Sequence, residues 1–154
     1  MPSDNDILDT AKLIRLTGKE IARKRDSNAS SLGLTSAQAD ALTFIEDNPG
    51  CSISDLSENM GATHQAARAI ADRMRTNGLI DISVSESDGR VRNLGLTHKG
   101  RTVLGEFLRM GVDVNRELFG NLSDAEISEL HRLLTSVRDH LRWPITAPSS
   151  VATI

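Results

Sequence analysis

Disulfides and zinc fingers are excluded at the outset, because the chain carries one cysteine, Cys51, and a lone thiol has no internal partner. Aromatic residues are nearly as scarce, with three Phe, one Trp and no Tyr. A core short of aromatics must be built from Leu, Ile, Val, Ala and Met, which suits packed helices better than a sandwich or barrel. There is no apolar run near the roughly 18 residues that span a bilayer. Met1 to Asp6 has neither the basic start nor the apolar stretch of a signal peptide, so a cytoplasmic protein with no membrane partner is expected. Excess positive charge is missing too: the formal net charge is −3. That argues against indiscriminate coating of nucleic acid, but not against a reader that places a few cations on one face.

What is present is helical periodicity around one short β segment. The 154 residues suit one compact domain, or two small lobes sharing an interface, and the 38% apolar fraction is enough for a core. From Asn5 to about Arg25, Ile7, Ala11, Ile14 and Ile21 recur at helical spacing, and Ser27 to Gly33 reads as a polar break. A second helix is predicted after Thr35, with Ala37, Ala41, Leu42, Phe44 and Ile45 inward and a stop at Asn48-Pro49-Gly50. Ser52-Ile53-Ser54-Asp55 has the capping-box arrangement and opens a short third helix ending near Gly61. Thr63 caps a fourth, running to about Asn77, whose apolar stripe is Ala67, Ile70, Ala71 and Met74. Leu79 to Val84 alternates apolar and polar residues like a half-buried strand, Leu94 and Leu96 do so on the return, and Ser85 to Val91 connects them. Gly89 is the residue in that turn best suited to positive φ. A long helix follows Thr97 to about Phe119, with Val103, Leu104, Phe107, Leu108, Val112 and Leu118 as core candidates. Ser123 to Glu126 caps a last helix faced by Ile127, Leu130, Leu133, Leu134, Val137 and Leu141 and ended by Trp143-Pro144.

The expected fold is therefore mainly α with a small β-hairpin wing: a winged helix-turn-helix between terminal helices. The implied division is 1–34 as an N-terminal helix, 35–101 as the winged helix-turn-helix, 102–143 as C-terminal helices, and 144–154 as a tail.

Three stretches carry a resemblance that covers the chain to about Trp143. The hairpin reads Asp-x-Arg-x-x-x-Leu-x-Leu-Thr at Asp88, Arg90, Leu94, Leu96 and Thr97. Upstream stand Asp55-Leu56, Gly61-Ala62-Thr63, Asp72-Arg73-Met74 and Asn77-Gly78-Leu79-Ile80. Together they resemble the MarR family of bacterial transcriptional regulators. The resemblance implies a homodimer, held by terminal helices, that binds double-stranded DNA at a pseudo-palindromic operator. It implies a repressor released by a small-molecule effector, whose binding residues no motif marks.

In such a reader the fourth helix enters the major groove with Thr63, His64, Gln65, Ala66, Arg68 and Arg73 toward DNA. Arg68 offers the donors for a guanine edge, Gln65 matches an adenine edge, and Ala66 suits a thymine methyl. The family often has a hydroxyl near positions 66 and 68 and a cation at 69, where this chain has Ala66, Arg68 and Ala69, so base preference is not transferable. Asp88, Gly89, Arg90 and Arg92 form the wing's share: Arg90 suits a narrow minor groove, Arg92 a phosphate, and Asp88 is implied to pair with an arginine, Arg73 being the candidate. Thr35, Ser36 and Gln38 read first as a plain helix cap, with a phosphate before its amides as the alternative, while Lys99 and Arg101 suit phosphate contact or plain solvation equally.

Other classes are weighed by the same residues. There is no glycine-rich phosphate loop and no Gly-x-Ser-x-Gly elbow, so no enzyme is expected, and no cofactor. His64, His98, His131 and His140 lack ligand spacing, so no metal site is expected. Thr35 to Arg101 holds seven Lys and Arg against nine Asp and Glu, which keeps a winged-helix protein-interaction module as an alternative. A redox-responsive regulator using Cys51 is the other, against which stand the residue's apolar position and the lack of a tyrosine to activate the thiol.

Overall fold

The computed structural model describes residues 1–142; the expected helix end at Trp143-Pro144 and the tail lie outside the described residues. The elements run α1 (Asp4–Ser31), α2 (Ser36–Asp47), α3 (Ile53–Met60), α4 (His64–Thr76), β1 (Ile80–Val84), β2 (Arg92–Leu96), α5 (His98–Phe119) and α6 (Asp124–Arg142). Two compact units divide at Val114/Asn115, within α5.

The first unit owes its helix starts to side-chain caps. Ser3, Thr35 and Ser52 each accept from the amide three residues on, while the acid or amide at that position reaches back to the cap's own N–H. Gln38, the one buried polar side chain among the described residues, owes its place to this: its Oε1 accepts from the Thr35 amide at 2.9 Å. It and Ala39 are buried where Ala37 and Phe44 had been expected to point inward, and those two are half-buried.

α1 corrects the expected boundary near Arg25, because the polar stretch from Ser27 remains helical to Ser31. Ala29 is the reason. Its methyl is fully buried in the core, so tertiary packing carries two further turns through residues of modest helix propensity. The helix closes only where the Leu34 amide returns to the Ala29 carbonyl at 2.9 Å.

The core gathers Leu34, Ala39, Leu42 and Ile45 of the α2 region with Ile53 and Leu56 of α3 and Ala67, Ala71 and Met74 of α4. Leu79, Ile80, Leu94 and Leu96 of the hairpin and Leu104 and Phe107 of α5 complete it. Arg25 ties α1 into this unit by pairing with Asp40 on α2 and lying over the Phe107 ring, 5.1 Å from its centroid.

β1 and β2 pair antiparallel, with Ile80 opposite Leu96 and Ile82 opposite Leu94. The two inward leucines of β2 sit as the alternation predicts. The hairpin does not stand alone: the Leu94 amide donates to the Cys51 carbonyl at 2.8 Å, and Ser52 bridges Asn93. The segment before α3 thus lines the free side of β2. At the other end of the recognition segment α4 stops in a reverse turn at Gly78 (φ 71°), where Leu79 N donates to Met74 O and Gly78 N to Arg75 O, both at 2.9 Å. The start of α5 is fastened there. Thr97 donates from its hydroxyl to Gly78 O at 2.6 Å and from its amide to Leu79 O at 3.1 Å, and buried Gly100 lets α5 approach the Leu79 carbonyl closely.

Of the expected α5 core, Leu104 and Phe107 are buried, whereas Leu108 and Val112 remain 49% and 48% exposed. In the second unit Ser123 and Glu126 form the anticipated cap of α6. The apolar face of that helix is open, with Leu133, Leu134, Val137 and Leu141 all exposed. The N-terminal half of α1 shows the same pattern at Ile7, Leu8, Leu13, Ile14 and Leu16. These stripes are regular in sequence and uncovered in the single chain.

Candidate nucleic-acid interface

α4 has two distinct faces. Ala67, Ala71 and Met74 are buried and Ile70 partly so, which turns His64, Gln65, Ala66, Arg68, Ala69 and Arg73 outward. Thr63 fixes the first turn by accepting from the Ala66 amide at 3.1 Å. Along the exposed face a carboxylate lies between two guanidiniums: Asp72 is 3.8 Å from Arg68 and 3.5 Å from Arg75.

The wing tip is shaped by its own backbone and by Asp88. Ser85 N donates to Val91 O and Val91 N to Asp88 O, each at 2.9 Å. Asp88 accepts from the Arg90 amide at 3.0 Å and does not pair with Arg73, which corrects the expected ion pair. The short aspartate side chain finds a donor two residues away in its own turn, a local bond that needs no distant partner. Arg73 lies instead on the other flank of α4, in a shallow pocket of about 100 Å³ with Thr35, Gln38, Ala69 and Ile70. Gly89 is likewise not among the residues of positive φ, since the turn closes without a left-handed position. Arg92 braces the loop from its root, donating from Nη1 to the Gly89 carbonyl at 3.2 Å.

Folding brings three separate segments to one cleft of about 170 Å³. It is lined by Ser52, Ile53 and Ser54 at the start of α3, His64 and Arg68 on α4, and Arg90, Val91 and Arg92 of the wing. Three guanidiniums and an imidazole therefore converge although the surrounding module carries more acids than bases. Two of the serines were legible only as a cap; their place in the cleft follows from the Ser52–Asn93 bridge, which no local sequence signal announces.

The neighbouring cations have structural partners. Lys99 donates to the Asn77 carbonyl at 2.8 Å, closing the end of α4, and Arg101 lies 3.6 Å from Glu46. Ser36 donates to Asp26, and Thr35 serves its helix cap. Cys51 is 6% exposed, and burial, with the Asp55 carboxylate adding to it, pushes its thiol above the ordinary value. Among the described residues no group of His, Cys, Asp or Glu has the makings of a metal site, and no helix is long and apolar enough to cross a membrane.

The family model of the MarR family matches residues 32–91, the span from the end of α1 to the wing tip. The solved structure of a MarR family protein from Bacillus stearothermophilus superposes with a TM-score of 0.82 at 20% identity, over 92% of this chain and 99% of that one. The chain is similar to the MarR family over residues 32–91 and shares its fold. Among relatives, the HTH-type transcriptional repressor IacR of Pseudomonas putida is 28% identical over 100 residues. That match spans 65% of this chain and 60% of the length of IacR. A mutant MarR from E. coli, solved in complex with operator DNA, superposes with a TM-score of 0.71 at 24% identity, over 89% of this chain and 99% of that one. The matched span runs from the end of α1 through α2, α3, α4 and β1 to the wing tip, and β2 follows it directly.

Proposed function

We propose that the protein is a sequence-specific transcriptional regulator of the cytoplasm that binds a pseudo-palindromic operator as a homodimer and represses by occupying it. One observation carries the reading: Arg68 on α4 and Arg90 and Arg92 on the wing line a single cleft with His64. Three cations from two elements at one place suit a ligand with several phosphates in a row, and their placement compensates for the net charge of −3.

In this proposal α4 lies in the major groove. Its 13 residues extend about 20 Å at 1.5 Å per residue, enough to follow a groove. Arg68 reads a guanine, Gln65 an adenine and Ala66 a thymine methyl, while Thr63 and His64 fit the helix start against the backbone. Arg73, beside the α2 start, serves the flanking phosphates. Arg90 enters the minor groove; Asp88 and Gly89 shape the turn that presents it, and Arg92 stiffens that turn from behind. The uncovered apolar faces of α1 and α6 suit burial against a second copy, which would set two α4 helices about 34 Å apart on successive grooves. A small effector that favours a different lobe spacing would oppose DNA by linkage.

Titration of promoter fragments across a salt series tests the reading. Salt-sensitive, fragment-selective binding is expected, and Arg90→Ala should weaken it and reduce the log–log salt slope by about 2, one for each protomer, without altering the oligomeric state. Absence of selective binding by the wild type would instead favour the protein-interaction module.

A further inference from the structure

Asp72 is out of place on a DNA-facing helix. It lies in the interior of α4, too far along to cap either end, and among the described residues its carboxylate is flanked by Arg68 and Arg75 of the same helix alone. It therefore fastens no two elements together, and the core does not depend on it. Its negative charge repels phosphate, so a helix selected only for affinity would lack it.

Resting on the regulator reading above, we propose that Asp72 is a positioning residue for base discrimination, holding Arg68 so that its terminal nitrogens face a guanine. The closest approach is through Nε of Arg68, 3.8 Å from Asp72 Oδ2, and the Arg68 side chain is 65% exposed, so the contact does not run through the Nη groups that a guanine would need. A guanidinium reads guanine through two parallel donors, so restricting its rotation favours the two-pronged contact over a loose one to any nearby acceptor. Asp72 Oδ1 holds Arg75 at 3.5 Å, so the same carboxylate also draws a second cation away from unselective phosphate contact. The combined effect is less attraction for any DNA and more preference for the right base.

The test compares wild type, Asp72→Asn, Asp72→Glu, Arg68→Ala and the Asp72→Asn/Arg68→Ala double variant. Each is titrated at one salt concentration against the operator, every single-base-pair variant of it, and unrelated DNA. Arg68→Ala should remove a preference of roughly fivefold to 150-fold at one G·C pair. Asp72→Asn should lower the preference at that same pair by about two- to fivefold, while binding to unrelated DNA holds or rises. Asp72→Glu should restore most of the lost preference, and in the Arg68→Ala background Asp72→Asn should change nothing. Unaltered preference in Asp72→Asn, a uniform loss on all DNA, or a change at a pair that Arg68→Ala leaves alone would overturn the role. The last result would mean that Asp72 reads a cytosine amine itself. A wild type with no base preference would defeat the regulator reading; normal wild-type and Arg68→Ala profiles with an inert Asp72→Asn would defeat this inference alone.

Discussion

Gly100→Ala should be among the most damaging one-carbon changes available. A Cβ at Gly100 would lie 2.0 Å from the Leu79 carbonyl oxygen and 3.0 Å from its carbon, where ordinary contact begins at 3.4 Å. The obstacle is backbone, and that carbonyl already accepts the Thr97 amide at 3.1 Å, so no side chain can rotate to make room. Relief requires α5 to withdraw from the turn that ends α4 by more than an ångström. Overpacking of this kind costs about 1–3 kcal/mol, and loss of the Thr97 bond adds about 1 kcal/mol. Alanine's helix propensity returns about 1 kcal/mol, leaving a net loss of about 1–3 kcal/mol. At about 2–4 °C per kcal/mol for a chain of this size, the melting temperature should fall by about 2–12 °C. Gly105→Ala is the control on the same helix: nothing lies within 4 Å of its added carbon, so it should gain up to about 1 kcal/mol. Thermal melts followed by circular dichroism decide the matter. Equal or higher melting for Gly100→Ala than for wild type would refute the close approach of α5 to Leu79.

Three further outcomes are expected. Cys51 should resist alkylation under native conditions at neutral pH and react at the normal rate in denaturant, because burial holds the thiol protonated; rapid native labelling would revive a redox role. Asp55 is held below the ordinary carboxylate range by the Ser52 amide, and further by its hydroxyl. Its contribution is therefore complete above the unfolded value and lost as pH falls through the lower folded one. The melting difference between wild type and Asp55→Asn should accordingly be largest near neutrality and close in acid; a constant difference would deny the linkage. Val137→Lys, at a half-exposed position on the α6 face, should convert a dimer to monomer in sedimentation experiments with little loss of helix content. An unchanged mass would remove α6 from the interface.

How far the sequence could be read depended on how local each cause was. The capping boxes at Ser52 and Ser123, the stop at Gly78 and the inward leucines of β2 are settled within a few residues, and all stand where the pattern predicts. The end of α1 was misplaced because Ala29 acts through a distant core contact that outweighs its polar neighbours. Asp88 was misassigned for the opposite reason: a long-range ion pair was inferred where a bond two residues away sufficed. At the candidate interface the outward residues of α4 and the wing arginines were readable from periodicity and motif. Their convergence with Ser52 and Ser54 was not, since it depends on the backbone pairing of Cys51 and Ser52 with β2.

That pairing gives β2 a backbone neighbour on each side, whereas the loop from Ser85 to Val91 is held by exposed bonds of its own turn and by the Arg92 side chain on the Gly89 carbonyl. Amide protons should therefore exchange along a gradient, slowest at Leu94, whose donor is committed to Cys51, and fastest around Gly89, where opening requires no more than local fraying. Unliganded, the wing is a lever anchored at its root, with a tip that exposed local bonds leave freer to open. Contact with a groove would remove that freedom, so protection gained at the tip but not at the root would report engagement residue by residue, without any label on the nucleic acid.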